Sequence, residues 1–168
     1  MSAEPSFSIA DCPAADRASL EWILDESFEG LYLRHAKKTL GEIQTVRVAS
    51  GAGGPLGLAM IKILDSQTGY VFYVAVAKAQ RRKGIAGALL DDAIEKLGSC
   101  GAKEVFASVE EENGPSLALF ESRGFVRTRF SEVSKKRGTL GTIAMYREMM
   151  AVPGETLLQK GTSGAKVA

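Results

Sequence analysis

The chain has 168 residues, 45% of them hydrophobic, with 21 Lys and Arg against 20 Asp and Glu for a formal net charge of +1. That is enough chain for one hydrophobic core and short for two, so a single globular domain over residues 1–150 is predicted. The near-neutral balance offers no overall field for nucleic acid or an anionic membrane surface. No apolar run approaches membrane-spanning length and no basic-then-apolar signal pattern opens the chain, which points to the cytoplasm.

In chain order, Ser6 to Asp11 alternates weakly and reads as a first strand. Pro13 then precedes a helix whose apolar residues include Leu20, Ile23, Leu24 and Phe28, a spacing that gives one buried face. Glu42 to Ala49 and Leu56 to Leu64 are β-rich, and the glycine-rich Ser50 to Pro55 between them suits a hairpin connection. A strand and not a helix follows those glycines, which favours a turn over a nucleotide loop. Tyr70 to Val76 makes the fourth strand. Ile85, Ala86, Leu89, Leu90, Ala93, Ile94 and Leu97 then recur at helical spacing, and Gly98 and Gly101 end that helix.

Glu104 to Val109 is a fifth strand, and Asn113 with Pro115 starts a short helix that Gly124 closes. Phe125 to Val133 and Thr139 to Met149 read as the final strands. From Ala151 the periodicity stops, and Lys160 to Ala168 lacks large apolar residues apart from Val167, so residues 151–168 are predicted to form a mobile tail. Cys12 and Cys100 lack CxxC spacing and His35 is the only histidine, so no metal-ligand pattern is present and the thiols are expected reduced.

The run Arg81-Arg82-Lys83-Gly84-Ile85-Ala86-Gly87 lies between a strand and a helix. A glycine-rich turn entering a helix leaves several backbone N–H groups unpaired, aims them at one point and adds the positive end of the helix dipole, so an anion belongs there. Neither GxxxxGK[ST] nor GxGxxG occurs here, which argues against nucleoside triphosphates and dinucleotides. The spacing present is [QR]xxGx[GA], carried by Arg81, Gly84 and Ala86, and downstream stands Asn113-Gly-Pro-Ser-Leu-Ala-Leu-Phe120-Glu-Ser-Arg-Gly124-Phe125. The glycine-rich motif resembles the pyrophosphate signature of the GNAT superfamily of acyl-CoA-dependent N-acetyltransferases, and the downstream block is similar to that family's Asn…Leu-Tyr…Gly-Phe segment.

The resemblance covers about Phe7 to Met150 and implies an α/β fold: a mixed, mostly antiparallel central sheet flanked by helices, with strands 4 and 5 splayed. It implies acetyl-CoA as co-substrate, no metal, and a primary amine acceptor, either a small molecule or a protein N-terminus. The pantetheine arm would pair with the backbone of Val74, Ala75 and Val76, and the N–H groups of Arg82, Lys83, Gly84, Ile85, Ala86 and Gly87 would hold the pyrophosphate. Asn113 is either a contact to the coenzyme arm or a helix cap, and Phe120 borders the thioester. The family uses several oligomeric states, and a monomer or a homodimer is expected here.

Two positions depart from the family pattern. Phe120 stands where many members have a tyrosine that protonates the leaving thiolate, and Ser108 stands where one subgroup has a glutamate base. Tyr70 and Tyr73 are the alternative proton sources, since a phenol near pKa 10 serves a thiolate even though it is a poor base at neutral pH. Glu110, Glu111 and Glu112 read as a solvated loop or a water-holding group, and His35 as a loop histidine. In the family the segment after the first helix and the final hairpin frame the acceptor mouth. Here they carry Arg34, His35, Lys37 and Lys38, then Lys135, Lys136 and Arg137, either a basic entrance or solvated loops. A catalytically weak acyl-CoA-binding module is the other reading of the same residues.

Overall fold

The computed structural model describes residues 6–162. Its strands are β1 (Ser8–Asp11), β2 (Thr45–Gly51), β3 (Gly54–Asp65), β4 (Thr68–Val76), β5 (Glu104–Glu110), β6 (Val126–Thr128) and β7 (Glu155–Gly161). The helices are α1 (Glu21–Asp25), α2 (Gly30–Glu42), α3 (Ile85–Ser99), α4 (Gly114–Ser122), α5 (Phe130–Arg137) and α6 (Thr139–Met149). One seven-stranded sheet runs in the order β1-β2-β3-β4-β5-β7-β6. The fold is the mixed, mostly antiparallel one expected, with a parallel pair at β4–β5 whose register runs from Thr68↔Glu104 to Val71↔Ala107 and ends there, although β4 continues to Val76 and β5 to Glu110.

Among the described residues the chain divides into two compact units: residues 6–62 with 73–93, and residues 63–72 with 94–162. In the first, β1 and β3 flank β2 in antiparallel register, with a bulge at Ala49/Ser50. Arg47 on β2 reaches Asp92 on α3 through two bonds of 2.7 and 2.8 Å and Asp11 on β1 at 2.8 Å. Buried Arg17 donates to the carbonyls of Leu40 and Ile43 at 3.2 and 2.5 Å, satisfying the acceptors that α2 leaves open at its C-terminal end. Gly57 allows β4 to approach closely, since a Cβ there would lie 2.8 Å from the Ala75 carbonyl oxygen.

Helix α2 has no counterpart among the elements expected from the sequence. Its buried residues, Ala36 and Leu40, follow Leu33 at helical spacing, but the charges of Arg34, His35, Lys37 and Lys38 mask so thin a stripe. His35 therefore sits on a helix and not in a loop.

In the second unit β7 lies between β5 and β6, antiparallel to both. This corrects the expectation of a mobile tail from Ala151: residues 155–161 are a strand, and only residues 163–168 of that segment lie outside the described residues. The strand is hard to read because Leu157 and Leu158, adjacent in sequence, are both buried, so no polar–apolar alternation survives. The expected final strands are corrected as well. Only Val126–Thr128 is a strand, and Phe130–Arg137 and Thr139–Met149 are helices. Thr142, Met145 and Met149 are buried at helical intervals, so packing overrides the strand preference of Thr, Ile and Tyr.

The helical pair closes a core of Tyr70, Phe106, Val133, Met145, Met149 and Leu157. Arg137 at the end of α5 ties it to the sheet, bonding Asp65 at 3.0 Å, Thr68 at 2.5 Å and Glu104 at 2.9 Å, with its guanidinium 5.6 Å from the Phe106 ring centroid. Burial pushes the Asp65 carboxyl up, but the Gln67 N–H, the Thr68 hydroxyl and Arg137 outweigh it and hold the group below its ordinary value. A carboxylate lowered on folding stabilises the native state above its unfolded pKa of about 3.9, and that contribution is lost as pH falls through the folded value. Asp65→Asn should therefore lower Tm at pH 7, and the gap to the unsubstituted protein should close as the pH of the melt falls from 5 towards 3. A gap independent of pH would show that the charge on Asp65 is not what matters.

Candidate functional site

The stripe Ile85, Leu89, Leu90, Ala93 and Leu97 is buried, which fixes α3 and presents its N-terminus at the end of β4. The first bond of the helical ladder runs from the Ala88 N–H to the Gly84 carbonyl at 3.0 Å. The N–H groups of Ile85, Ala86 and Gly87 thus precede the ladder, as the first N–H groups of any helix do. Before them φ is +61° at Arg82 and +80° at Gly84, and is not positive at Lys83. Alternation of handedness along successive residues turns their N–H groups to one side, the geometry of an anion-binding nest. Residues 82–84 are exposed, and the space where a Gly84 Cβ would stand is empty to 4 Å.

Arg81 is exposed, but its guanidinium is committed to the protein. Its Nε donates to the Val76 carbonyl at 3.2 Å and an Nη to the Glu26 carbonyl at 2.8 Å, so the residue that opens the motif is a brace beneath the turn. Lys83 Nζ bonds Gln80 at 3.1 Å. Leading into the turn, Ala75 and Val76 are buried and Val74 is half-buried. Immediately before them, Tyr73 packs against Phe28 and Tyr32 with ring centroids 5.4 and 5.7 Å away, and Phe28 and Tyr32 are 5.6 Å apart. This aromatic trio, drawn from the α1–α2 connection, α2 and β4, has no signature in the sequence, where Phe28 reads only as a core residue and α2 is masked.

The remaining candidates belong to the other unit. Asn113 is the N-cap of α4, its Oδ1 accepting from the Ser116 N–H at 3.2 Å. Phe120 is buried against Phe125, centroids 5.1 Å apart. Tyr70 is 3% exposed inside the core beneath α5 and α6. Ser108 donates to Glu155 Oε2 at 2.8 Å, and Val152 N–H donates to the same oxygen at 3.2 Å. A carboxylate thus stands beside the position where the sequence shows only a serine, supplied by a strand that the sequence pattern conceals.

The sequence matches the model of the acetyltransferase (GNAT) family over residues 10–125, more than half of the chain. The chain belongs to the GNAT family. Among curated relatives, the N-alpha-acetyltransferase of Saccharolobus solfataricus is 34% identical over 76 residues, 44% of this chain and 46% of that protein. The chain spans less than half the length of the curated relatives it matches. The GNAT fold is seen in the ribosomal-protein-S18-alanine N-acetyltransferase from Escherichia coli, with a TM-score of 0.70, 17% identity, and 96% and 97% of the two chains covered. It is seen also in a GNAT family acetyltransferase from Elizabethkingia anophelis with acetyl-CoA bound, with a TM-score of 0.67, 16% identity, and 94% and 99% covered.

The basic residues expected in a loop and a hairpin of this GNAT chain are corrected to helical positions. Both clusters sit on helices, Lys37 is paired with Asp25 at 2.7 Å, and Arg137 is committed to Asp65 and Glu104. The turn itself carries a measurable signature. A left-handed φ costs a side-chain-bearing residue about 1–2 kcal/mol, and glycine costs about 0.5–1 kcal/mol through its unfolded freedom. Arg82→Gly should therefore leave stability unchanged or raise it by up to about 1 kcal/mol in denaturant titration. A loss larger than about 1 kcal/mol would mean that the Arg82 side chain holds the turn through contacts.

Proposed function

We propose that this chain is an N-acetyltransferase that moves an acetyl group from acetyl-CoA to a primary amine by direct attack in a ternary complex. The observation that carries the reading is the turn from Arg82 to Gly87: exposed at its start, with alternating φ, entering a helix whose first amides lie outside the ladder, with a cationic side chain at Arg82 and at Lys83. A pyrophosphate matches that array in charge and offers several acceptor oxygens to its amides. The backbone of Val74 to Val76, which leads into the turn, is proposed to pair with the amide-bearing arm of the same molecule.

The chemistry asks little of side chains. A neutral amine attacks the thioester carbonyl, negative charge grows on the carbonyl oxygen, the carbon–sulfur bond breaks and the thiolate takes a proton. Placement, exclusion of water and a backbone N–H for the oxyanion account for most of the acceleration. Of the two tyrosines, Tyr73 is the better proton source, because it is half-buried next to Val74 whereas Tyr70 is enclosed in a core. An α-amine, pKa about 7.7–8.0, is substantially neutral near pH 7.5, whereas a lysine amine near 10.4 is not, so a protein N-terminus or a small low-pKa amine is the proposed acceptor. The aromatic trio supports an acceptor with an apolar group beside its amine. The free thiols Cys12 and Cys100 are consistent with a reducing, cytoplasmic setting.

A second reading, an acyl-CoA-binding module with little turnover, is favoured by Phe120 and Ser108, neither of which supplies the expected acid or base. Release of free thiol from acetyl-CoA in the presence of peptides with free N-termini and small amines separates the two. Tyr73→Phe should lower kcat about tenfold or more, equal to about 1.4 kcal/mol, with the KM for acetyl-CoA little changed.

The turn is tested by substitution at Gly84. Because the space around its Cβ is open, Gly84→Ala and Gly84→Glu should cost similar stability, at most about 1.5 kcal/mol once glycine's unfolded freedom is deducted from the left-handed cost. Only the glutamate sets a negative charge in the nest, so CoA affinity measured by calorimetry should be retained within a few-fold in Gly84→Ala and lost in Gly84→Glu. Equal CoA affinity in the two folded variants would remove the pyrophosphate from this turn.

A further inference from the structure

The segment from Lys78 to Gln80 is a single 3-10 turn that carries the chain from β4 into the nest. A helix of one turn has no stability of its own, so whatever fixes it also fixes the direction in which the following amides point. One residue holds both of its ends. Glu26, directly after α1, accepts the Lys78 N–H on Oε2 at 2.7 Å, and its backbone carbonyl accepts from the Arg81 guanidinium at 2.8 Å. Glu26 is itself held, its own N–H bonding the Trp22 carbonyl at 3.2 Å on a helix anchored by fully buried Ile23 and Leu24. Other bonds on this segment are Ala77 N–H to the Leu56 carbonyl at 2.8 Å, Gln80 N–H to the Ala77 carbonyl at 2.8 Å, Arg81 N–H to the Lys78 carbonyl at 3.5 Å, Arg81 Nε to the Val76 carbonyl at 3.2 Å and Lys83 Nζ to Gln80 at 3.1 Å. Glu26 thus ties the 3-10 turn to α1, while Ala77 just before the turn is held to β3 through the Leu56 carbonyl.

Resting on the reading of the turn as a pyrophosphate site, we propose that Glu26 is a positioning residue for coenzyme binding, its carboxylate acting on the nest through the Lys78 N–H and not by touching the coenzyme, while the Arg81 bond to its backbone carbonyl is kept by any residue at this position. A carboxylate beside an anion site carries an electrostatic penalty, so charge is not the reason for its presence; the acceptor geometry is. The two effects separate by substitution. Glu26→Gln keeps an acceptor oxygen for the Lys78 N–H and removes the negative charge, whereas Glu26→Ala removes both.

The test compares CoA with pantetheine, which lacks the pyrophosphate, as ligands in calorimetry, and acetyl-CoA with S-acetylpantetheine as donors in the thiol-release assay. Glu26→Ala should weaken CoA binding and raise the KM for acetyl-CoA by about tenfold, with kcat changed less than about twofold. It should change the affinity for pantetheine and the KM for S-acetylpantetheine by less than about twofold, because those ligands do not use the nest. Glu26→Gln should bind CoA as tightly as the unsubstituted protein or more tightly. A Glu26→Ala protein that binds CoA normally, or that loses CoA and pantetheine in equal proportion, overturns the positioning role, as does a Glu26→Gln protein as weak as Glu26→Ala. If the unsubstituted protein binds CoA no more tightly than pantetheine, the pyrophosphate reading itself fails, and the role of Glu26 with it.

Discussion

A set of backbone amides that is to bind an anion must be left without protein partners and yet be held still. These demands conflict, since hydrogen bonding is what ordinarily fixes backbone, and the turn after β4 meets them by bracing from below. The N–H groups of Ile85 to Gly87 precede the helical ladder, while the Arg81 fork, engaging the carbonyls of Val76 and Glu26, and the Glu26 carboxylate on the Lys78 N–H fix the chain just upstream. A left-handed Arg82 costs about 1–2 kcal/mol. Two side-chain bonds from a charged guanidinium and one to a carboxylate, contributing about 0.5–1 kcal/mol each at such exposure, are together of the size to hold it. What a signature of spaced glycines and cations shows as a binding motif is, in its first residue, a structural brace.

The second unit solves a different problem. Its sheet face is covered by α5 and α6, two short helices joined at Gly138 with φ +79°, and neither would persist alone. Their stability comes from burial of Val133, Met145 and Met149 on Tyr70 and Phe106, and from Arg137, which meets two carboxylates and a hydroxyl on the neighbouring strands. The same helices enclose Tyr70, which removes it from among the accessible phenols and leaves Tyr73, in the first unit, as the one next to the proposed coenzyme strand.

Much of this is legible from local pattern. The helix α3, the turn before it and the fourth and fifth strands follow from apolar spacing, glycines and motif order, because each depends on residues close in sequence. What the pattern misses depends on packing between distant segments. β7 reads as a tail because a strand enclosed on both faces shows no alternation, α6 reads as a strand because Thr, Ile and Tyr favour one locally, and α2 hides its two buried residues among cations. The candidate site divides in the same way. The proposed anion turn is visible, but the brace at Glu26, the trio Phe28, Tyr32 and Tyr73, and the carboxylate of Glu155 at Ser108 join residues far apart in sequence and leave no local trace.

The central claim is that the amides of the turn after β4 receive the pyrophosphate of coenzyme A. It is tested most directly by following backbone amide resonances of isotopically labelled protein during titration with CoA and, separately, with pantetheine. The account predicts that the largest CoA-induced shifts fall on the amides from Arg82 to Gly87, in the direction of stronger hydrogen bonding, and that pantetheine leaves these amides in place while moving those of Val74 to Val76. Shifts of equal size at the turn with both ligands, or a CoA response confined to other amides, would contradict it.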